Sequence, residues 1–138
     1  MEVVIDANVL FRTLISSGEI VKILFNSELK IFAPEVLGNE FLNNKNEILS
    51  KSKLSEIEFD ALASLLLEKI IFVPLDEYKE FLPKAKSLLG KHTKDFPYLA
   101  LALKFNCPLW SEEKLLKRQS VVKILNTKEL FELLKSKL

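Results

Sequence analysis

Glu2-Val3-Val4-Ile5-Asp6-Ala7-Asn8 decides how the rest of the chain is read. A short unbroken apolar run is the mark of a strand buried on both faces of a parallel sheet. This run stops on a carboxylate, and ligands of open α/β sheets bind just beyond the carboxyl ends of strands. Burying an unpaired charge is costly, so Asp6 needs a reason to stand there. Two reasons are open. Asp6 caps the helix that starts near Asn8, or it holds a cation.

Three later acids occupy comparable places. Glu40 lies in Pro34-Glu35-Val36-Leu37-Gly38-Asn39-Glu40-Phe41, directly after a second apolar run, Ile31-Phe32-Ala33. Asp95 opens Asp95-Phe96-Pro97-Tyr98-Leu99-Ala100-Leu101-Ala102-Leu103, where an acid heads an otherwise apolar helix. Glu113 follows Pro108-Leu109-Trp110-Ser111 and precedes a short basic helix. In a parallel layered fold, strand ends and helix starts of this kind converge on one edge of the sheet.

Strands and helices alternate along the chain. Strands are predicted at Glu2–Ile5, Lys30–Ala33, Ile70–Val73, Pro108–Trp110 and Val121–Leu125. Glu19–Asn26 carries Ile20, Ile23 and Leu24 on one helical face, and Pro34–Ser50 carries Leu37, Phe41 and Ile48 behind a first-turn proline. Ser55 and Glu58 form a capping box for a helix over Ser55–Glu68. Glu77–Leu89 stops at Gly90, with Pro83 as a kink or a start. Thr127 is the expected cap of a last helix, Lys128–Lys137. The pattern predicts a three-layer α/β/α fold around a mainly parallel sheet of about four or five strands. No linker or repeat interrupts it, so one domain over residues 1–138 is expected.

Composition narrows the function classes. The net charge of +1 gives no electrostatic signature for nucleic acid, so such a role must rest on local layout. Cys107 is the only cysteine, which forbids an intrachain disulfide and fits a reducing cytoplasm. The start of the chain reads as a strand rather than a signal peptide. Apolar stretches are broken by Glu68-Lys69 and by Lys104, so no membrane span is expected. The expected location is cytoplasmic.

Taken together, Val4-Ile5-Asp6-Ala7-Asn8-Val9-Leu10, Pro34 to Phe41 with Glu40, Lys94-Asp95-Phe96-Pro97-Tyr98-Leu99-Ala100-Leu101-Ala102 and Leu109-Trp110-Ser111-Glu112-Glu113-Lys114-Leu115-Leu116 resemble, in order and spacing, the PIN domains. These are a large group of metal-dependent ribonucleases whose single-domain prokaryotic members include the VapC toxins. The resemblance implies Asp6, Glu40 and Asp95 as the acidic core, with Asn8 and Ser111 as polar supports. Where Glu113 stands the family usually carries Asp, two residues after a Ser or Thr. Glu112 competes for that fourth place. A short antitoxin partner and a homodimer are implied by the same resemblance.

The chemistry runs parallel. Carboxylates gathered within roughly 4–6 Å raise one another's pKa unless a cation relieves them. Oxygen donors without a thiol–imidazole cluster select Mg²⁺ or Mn²⁺, as one or two ions, over zinc. Only His92 and Cys107 prefer zinc, and one pair does not make a site. Such ions suit phosphodiester hydrolysis, because they activate water and neutralise phosphoryl oxygens. Asp6 and Asp95 are expected to bind directly. Glu40 would bind or position water, and Glu113 would bind through water or support the ligands from behind them. One methylene in excess of Asp displaces the Glu113 carboxylate by about 1.5 Å, enough to slow a site.

Plainer readings stand beside these. Lys114, Lys117, Arg118, Lys91 and Lys94 contact phosphates or simply form a solvated face. Arg12 faces either the site or solvent. His92 reads as a loop histidine, and Trp110 and Tyr98 read as core rather than base-stacking residues. A haloacid-dehalogenase-type phosphatase needs an acid where Asn8 stands. A receiver domain needs an acidic pair near the first strand, and Glu2-Val3-Val4-Ile5-Asp6 lacks one. A rival of another class is a catalytically weak or inactive RNA- or protein-binding module of the same fold.

Overall fold

Five parallel strands form one sheet in the order β3-β2-β1-β4-β5 in a computed structural model, which describes residues 1–16, 18–91 and 95–136. The strands are β1 (Glu2–Ile5), β2 (Lys30–Pro34), β3 (Ile70–Val73), β4 (Leu109–Trp110) and β5 (Ile124–Leu125). β1 is central, pairing Val3 with Ile31 on one side and Val4 with Leu109 on the other. Val3, Val4 and Ile5 are fully buried, as an unbroken apolar run requires.

Helices α1 (Ala7–Ser16), α2 (Glu19–Leu24), α3 (Val36–Lys51), α4 (Glu56–Lys69), α5 (Leu75–Tyr78), α6 (Leu82–Leu89), α7 (Phe96–Phe105) and α8 (Thr127–Ser136) flank the sheet in a three-layer α/β/α arrangement. α7 is apolar except for Lys104 in its last turn, and it is largely covered: it lies against β1, β2 and β4 and packs on α5 and α6. α1 packs on α3 and α4. None of the described helices is long and apolar enough to cross a membrane.

The strand order reverses between β1 and β4. β2 and β3 are laid down on one side of β1, and β4 and β5 on the other. The crevice outside the carboxyl ends at such a reversal is where α/β sheets bind ligands. Asp6 and Ser111 immediately follow the two strands that border it. The receiver-domain reading fails here, since that fold orders its strands 2-1-3-4-5.

Several boundaries move for physical reasons. Pro34 is the last residue of β2, in register with Val73, rather than the first of a helix. Glu35 N–H then donates to Val73 O, so α3 starts at Val36. The expected helix over Glu77–Leu89 is broken into α5, a 3₁₀ turn over Lys79–Phe81, and α6. Pro83, at the start of α6, has no N–H to continue the ladder. The last strand shortens to Ile124–Leu125 because Gln119 clamps the segment before it. Its amide donates to Leu116 O and Val122 O and accepts from Val122 N–H.

The cap of α8 is Asn126, not Thr127. Asn126 Oδ1 accepts from Glu129 N–H at 2.8 Å, and Glu129 Oε1 accepts from Asn126 N–H. The Thr127 hydroxyl instead accepts from Trp110 Nε1 at 3.0 Å, satisfying the one polar atom of a fully buried indole. The Ser55–Glu58 capping box stands as expected. Lys137 of the predicted last helix, together with His92 and Lys94, lies outside the described residues.

Candidate active site

Asp6 directly follows β1 and is only 4 % exposed. Ser111, on the segment leaving β4, donates from Oγ to Asp6 Oδ2 at 2.7 Å. The N–H groups of Asn8 and Ala7 also bond to the Asp6 carboxylate. These amide bonds are those of a cap on α1, made by a residue that also stands at the reversal of strand order. Burial raises its pKa above the ordinary carboxyl value, and the bonds from Ser111, Asn8 and Ala7 pull it back. The negative charge of Glu113 adds to the rise, so the two acids sense each other.

Asp6 forms the floor of an open cleft of about 700 Å³. One wall is a stripe along α1: Asn8, Phe11, Arg12 and Ile15. The other is a stripe along α3: Glu40, Asn44, Glu47, Ile48 and Lys51. Both follow the three- and four-residue spacing of one helical face. Glu112 and Glu113 close the end. The α3 stripe alone extends about 16 Å, at 1.5 Å per residue. Asp6, Glu40, Glu112 and Glu113 supply acids to the lining, and further along the walls stand Arg12 and the Glu47–Lys51 ion pair, at 2.8 Å.

Glu40 is half-buried and accepts from Tyr98 Oη at 2.7 Å through Oε1. Tyr98 is 2 % exposed. Its phenol is pushed far up by burial first, then by Glu40, Asp6 and Asp95. Three acids from three elements thus act on one hydroxyl. Asp95 itself is buried at the N-terminal end of α7, three residues before Tyr98 and on the same side of the helix. Tyr98 belongs to the core, as its neighbours in sequence suggest, but its hydroxyl was missed as a site group. The usable signal was a tyrosine in a helix where Phe would fill the same volume.

The adjacent acids Glu112 and Glu113 part company. Glu112 Oε1 accepts from Thr127 N–H at 2.8 Å, tying it to the start of α8. Glu113 N–H donates to Ser111 Oγ, and Glu113 Oε1 accepts from Leu115 N–H, heading the 3₁₀ turn Lys114–Arg118. The expected short basic helix is this turn. Lys114 is exposed and absent from the cleft lining. Lys117 pairs with Glu129 at 2.7 Å. Asn8 is exposed on the cleft wall.

The donor types suit a hard divalent cation: carboxylates backed by hydroxyl groups, with no thiol or imidazole in the lining among the described residues. Cys107 stands apart, between α7 and β4, its thiol pushed up to about 11 by burial and by Glu2. Yet among the described residues no three acid, histidine or cysteine side chains are grouped closely enough to clasp an ion.

A buried strand-end acid, an acid-lined cleft at the reversal of a five-stranded parallel sheet, and helices on both sides define an α/β protein with a strand-end site. The PIN domain family model matches residues 4–134, and the chain belongs to that family. A structural relative is a chain in the crystal structure of VapBC2 from Rickettsia felis bound to a DNA fragment from their promoter. The TM-score is 0.67 at 14 % identity, covering 91 % of this chain and 98 % of that one. The likeness is one of fold. No curated protein matches the sequence.

Proposed function

We propose that this chain is a Mg²⁺- or Mn²⁺-dependent endoribonuclease that acts as the toxin of a toxin–antitoxin pair. The observation that carries the reading is the buried Asp6 carboxylate, held by Ser111 on the floor of an acid-lined cleft, in a chain of the PIN family. Asp6 and Asp95 would hold the ion directly, Glu40 would bind it or position water, and Glu113 would act through water. When bound, the ion neutralises charge on the phosphoryl oxygens and lowers the barrier to attack by water.

The chain's own residues do the rest. Ser111 and the amides of Ala7 and Asn8 hold the Asp6 carboxylate in one orientation. Asn8 and Arg12 line the wall along which the RNA backbone would run, and Arg12 joins no ion pair among the described residues. Phe11, Ile15 and Ile48 give the cleft an apolar flank suited to unpaired bases. A small antitoxin is proposed as partner, following the VapBC2 complex. Exposed Ile57, Leu65, Ile71 and Phe72 support a homodimer surface on α4 and the edge strand β3.

A second reading has its own support. Because no three described acids stand as a ready ion-holding group, a binding module without catalysis stays in contention. Titrating Mn²⁺ and running RNA-cleavage gels on the same preparation separates the two. Cleavage that needs Mn²⁺ and disappears in Asp6→Asn supports the nuclease. Tight Mn²⁺ or RNA binding without cleavage of single-stranded or hairpin RNA supports the module.

A further inference from the structure

The cleft acids are steered by hydroxyl groups borne on other elements. Ser111 Oγ, from the β4 side, donates to Asp6 at 2.7 Å. Tyr98 Oη, from α7, donates to Glu40 on α3, also at 2.7 Å. Both donors are buried, at 1 % and 2 % exposure. Such short O–H···O⁻ bonds are among the stronger hydrogen bonds, roughly twice a neutral one. Tyr98 is rigid by placement, because α7 lies against three strands and the ring is enclosed. Glu40 has the opposite character: a half-buried side chain with three rotatable bonds on the cleft wall. Left alone it would sample many rotamers.

Packing does not call for the hydroxyl. Apart from Tyr98 and Lys104, α7 is an apolar helix, and Phe96 two residues before Tyr98 is buried without a hydroxyl. Asp95 heads the same helix but is not among the residues that line the cleft, so α7 reaches the cleft wall through the Tyr98 hydroxyl.

We propose that Tyr98 is a positioning residue that fixes the Glu40 carboxylate for divalent-cation binding in the cleft. The inference rests on the metal-dependent reading above. Tyr98 touches neither ion nor substrate; it acts through Glu40. Its loss lowers cation affinity by the ~10–100-fold that removal of an orienting partner costs. The loss vanishes once Glu40 can no longer serve.

The test is a double-mutant cycle on the full chain, with Mn²⁺ binding measured by calorimetry for wild type, Tyr98→Phe, Glu40→Gln and the pair. Melting in EDTA is followed in parallel. The expected result is weaker Mn²⁺ binding in Tyr98→Phe and an affinity in the double variant equal to that of Glu40→Gln alone. Unchanged Mn²⁺ affinity in Tyr98→Phe overturns the proposal, as do losses that simply add in the double variant. Wild-type affinity abolished by Asp6→Asn but untouched by Tyr98→Phe removes only the Tyr98 role. No Mn²⁺ binding by wild type removes the metal-dependent reading and this proposal together. A lower melting point in Tyr98→Phe with wild-type affinity makes the hydroxyl a fold contact only, and also counts against it.

Discussion

Two tyrosine–glutamate pairs flank the start of α3, and they are chemically alike but physically different. Tyr78 reaches Glu35 at 3.4 Å, beyond the usual range for an O–H···O bond, and Glu35 Oε2 is buried with no hydrogen-bond partner among the described residues. Tyr98 reaches Glu40 at 2.7 Å. The Tyr78 phenol is pushed up to about 12 by burial and by Glu35 alone. The Tyr98 phenol feels Glu40, Asp6 and Asp95 together. Glu35 sits beside the end of β3 and is absent from the cleft lining, whereas Glu40 lines the cleft beside the reversal of strand order. A site here is made by what the neighbours are, not by the pair.

The largest expected effect separates the acid that heads α7 from the acid that heads α3. Asp95→Asn should reduce Mn²⁺-dependent RNA cleavage by more than about 100-fold, exceeding the loss from an orienting group, with an unchanged circular dichroism spectrum. Glu35→Gln should cleave as wild type does. If the two variants fall equally, the comparison breaks. Next comes the pair of phenols: Tyr98→Phe weakens Mn²⁺ binding by ~10–100-fold, and Tyr78→Phe leaves it unaltered.

A third expectation concerns pH. Burial holds the Asp6 pKa above the ordinary 3.8 of a free aspartate, so the folded chain binds that proton more tightly than the unfolded chain does. Stability therefore falls as pH climbs from the unfolded value through the raised folded one, and above it ionised Asp6 is a full cost. In EDTA near neutral pH, Asp6→Asn should melt above wild type. The two curves should meet below about pH 4, where both side chains are neutral. A lower melting point for Asp6→Asn at neutral pH would mean that its bonds to Ser111, Asn8 and Ala7 outweigh burial.

The smallest effects sharpen the division of labour between neighbours. Glu112→Gln should leave cleavage intact and destabilise the chain by about 0.5–1 kcal/mol, as a weakened helix-start contact does. Glu113→Gln should do the reverse, lowering cleavage by about 10-fold with little change in melting. Reversal of those two outcomes would move the fourth acid to Glu112.

Much of this was legible in local pattern. Apolar runs located all five strands, and helical spacing located α3 and α4. Ser55 with Glu58 announced a capping box, and the acid that ends β1 announced the cleft. These signals travel over a few residues, because strand and helix periods and cap bonds are local. Other features depended on distant partners. Thr127 reads as a cap until Trp110 claims its hydroxyl, and Pro34 reads as a helix start until Val73 pairs with it. Glu112 and Glu113 are chemically equivalent in a string of letters, and only α8 and Asp6 tell them apart.

The sequence by itself therefore determined the element types, the parallel layered class and the acids worth testing, since each follows from side-chain chemistry within one segment. Tertiary structure alone decided the order β3-β2-β1-β4-β5, and with it which acids face one cleft. It alone brought the Tyr98 hydroxyl to Glu40 across 58 residues of chain. The reason is physical: strand order is chosen by burial summed over the whole molecule, and no single segment carries that sum.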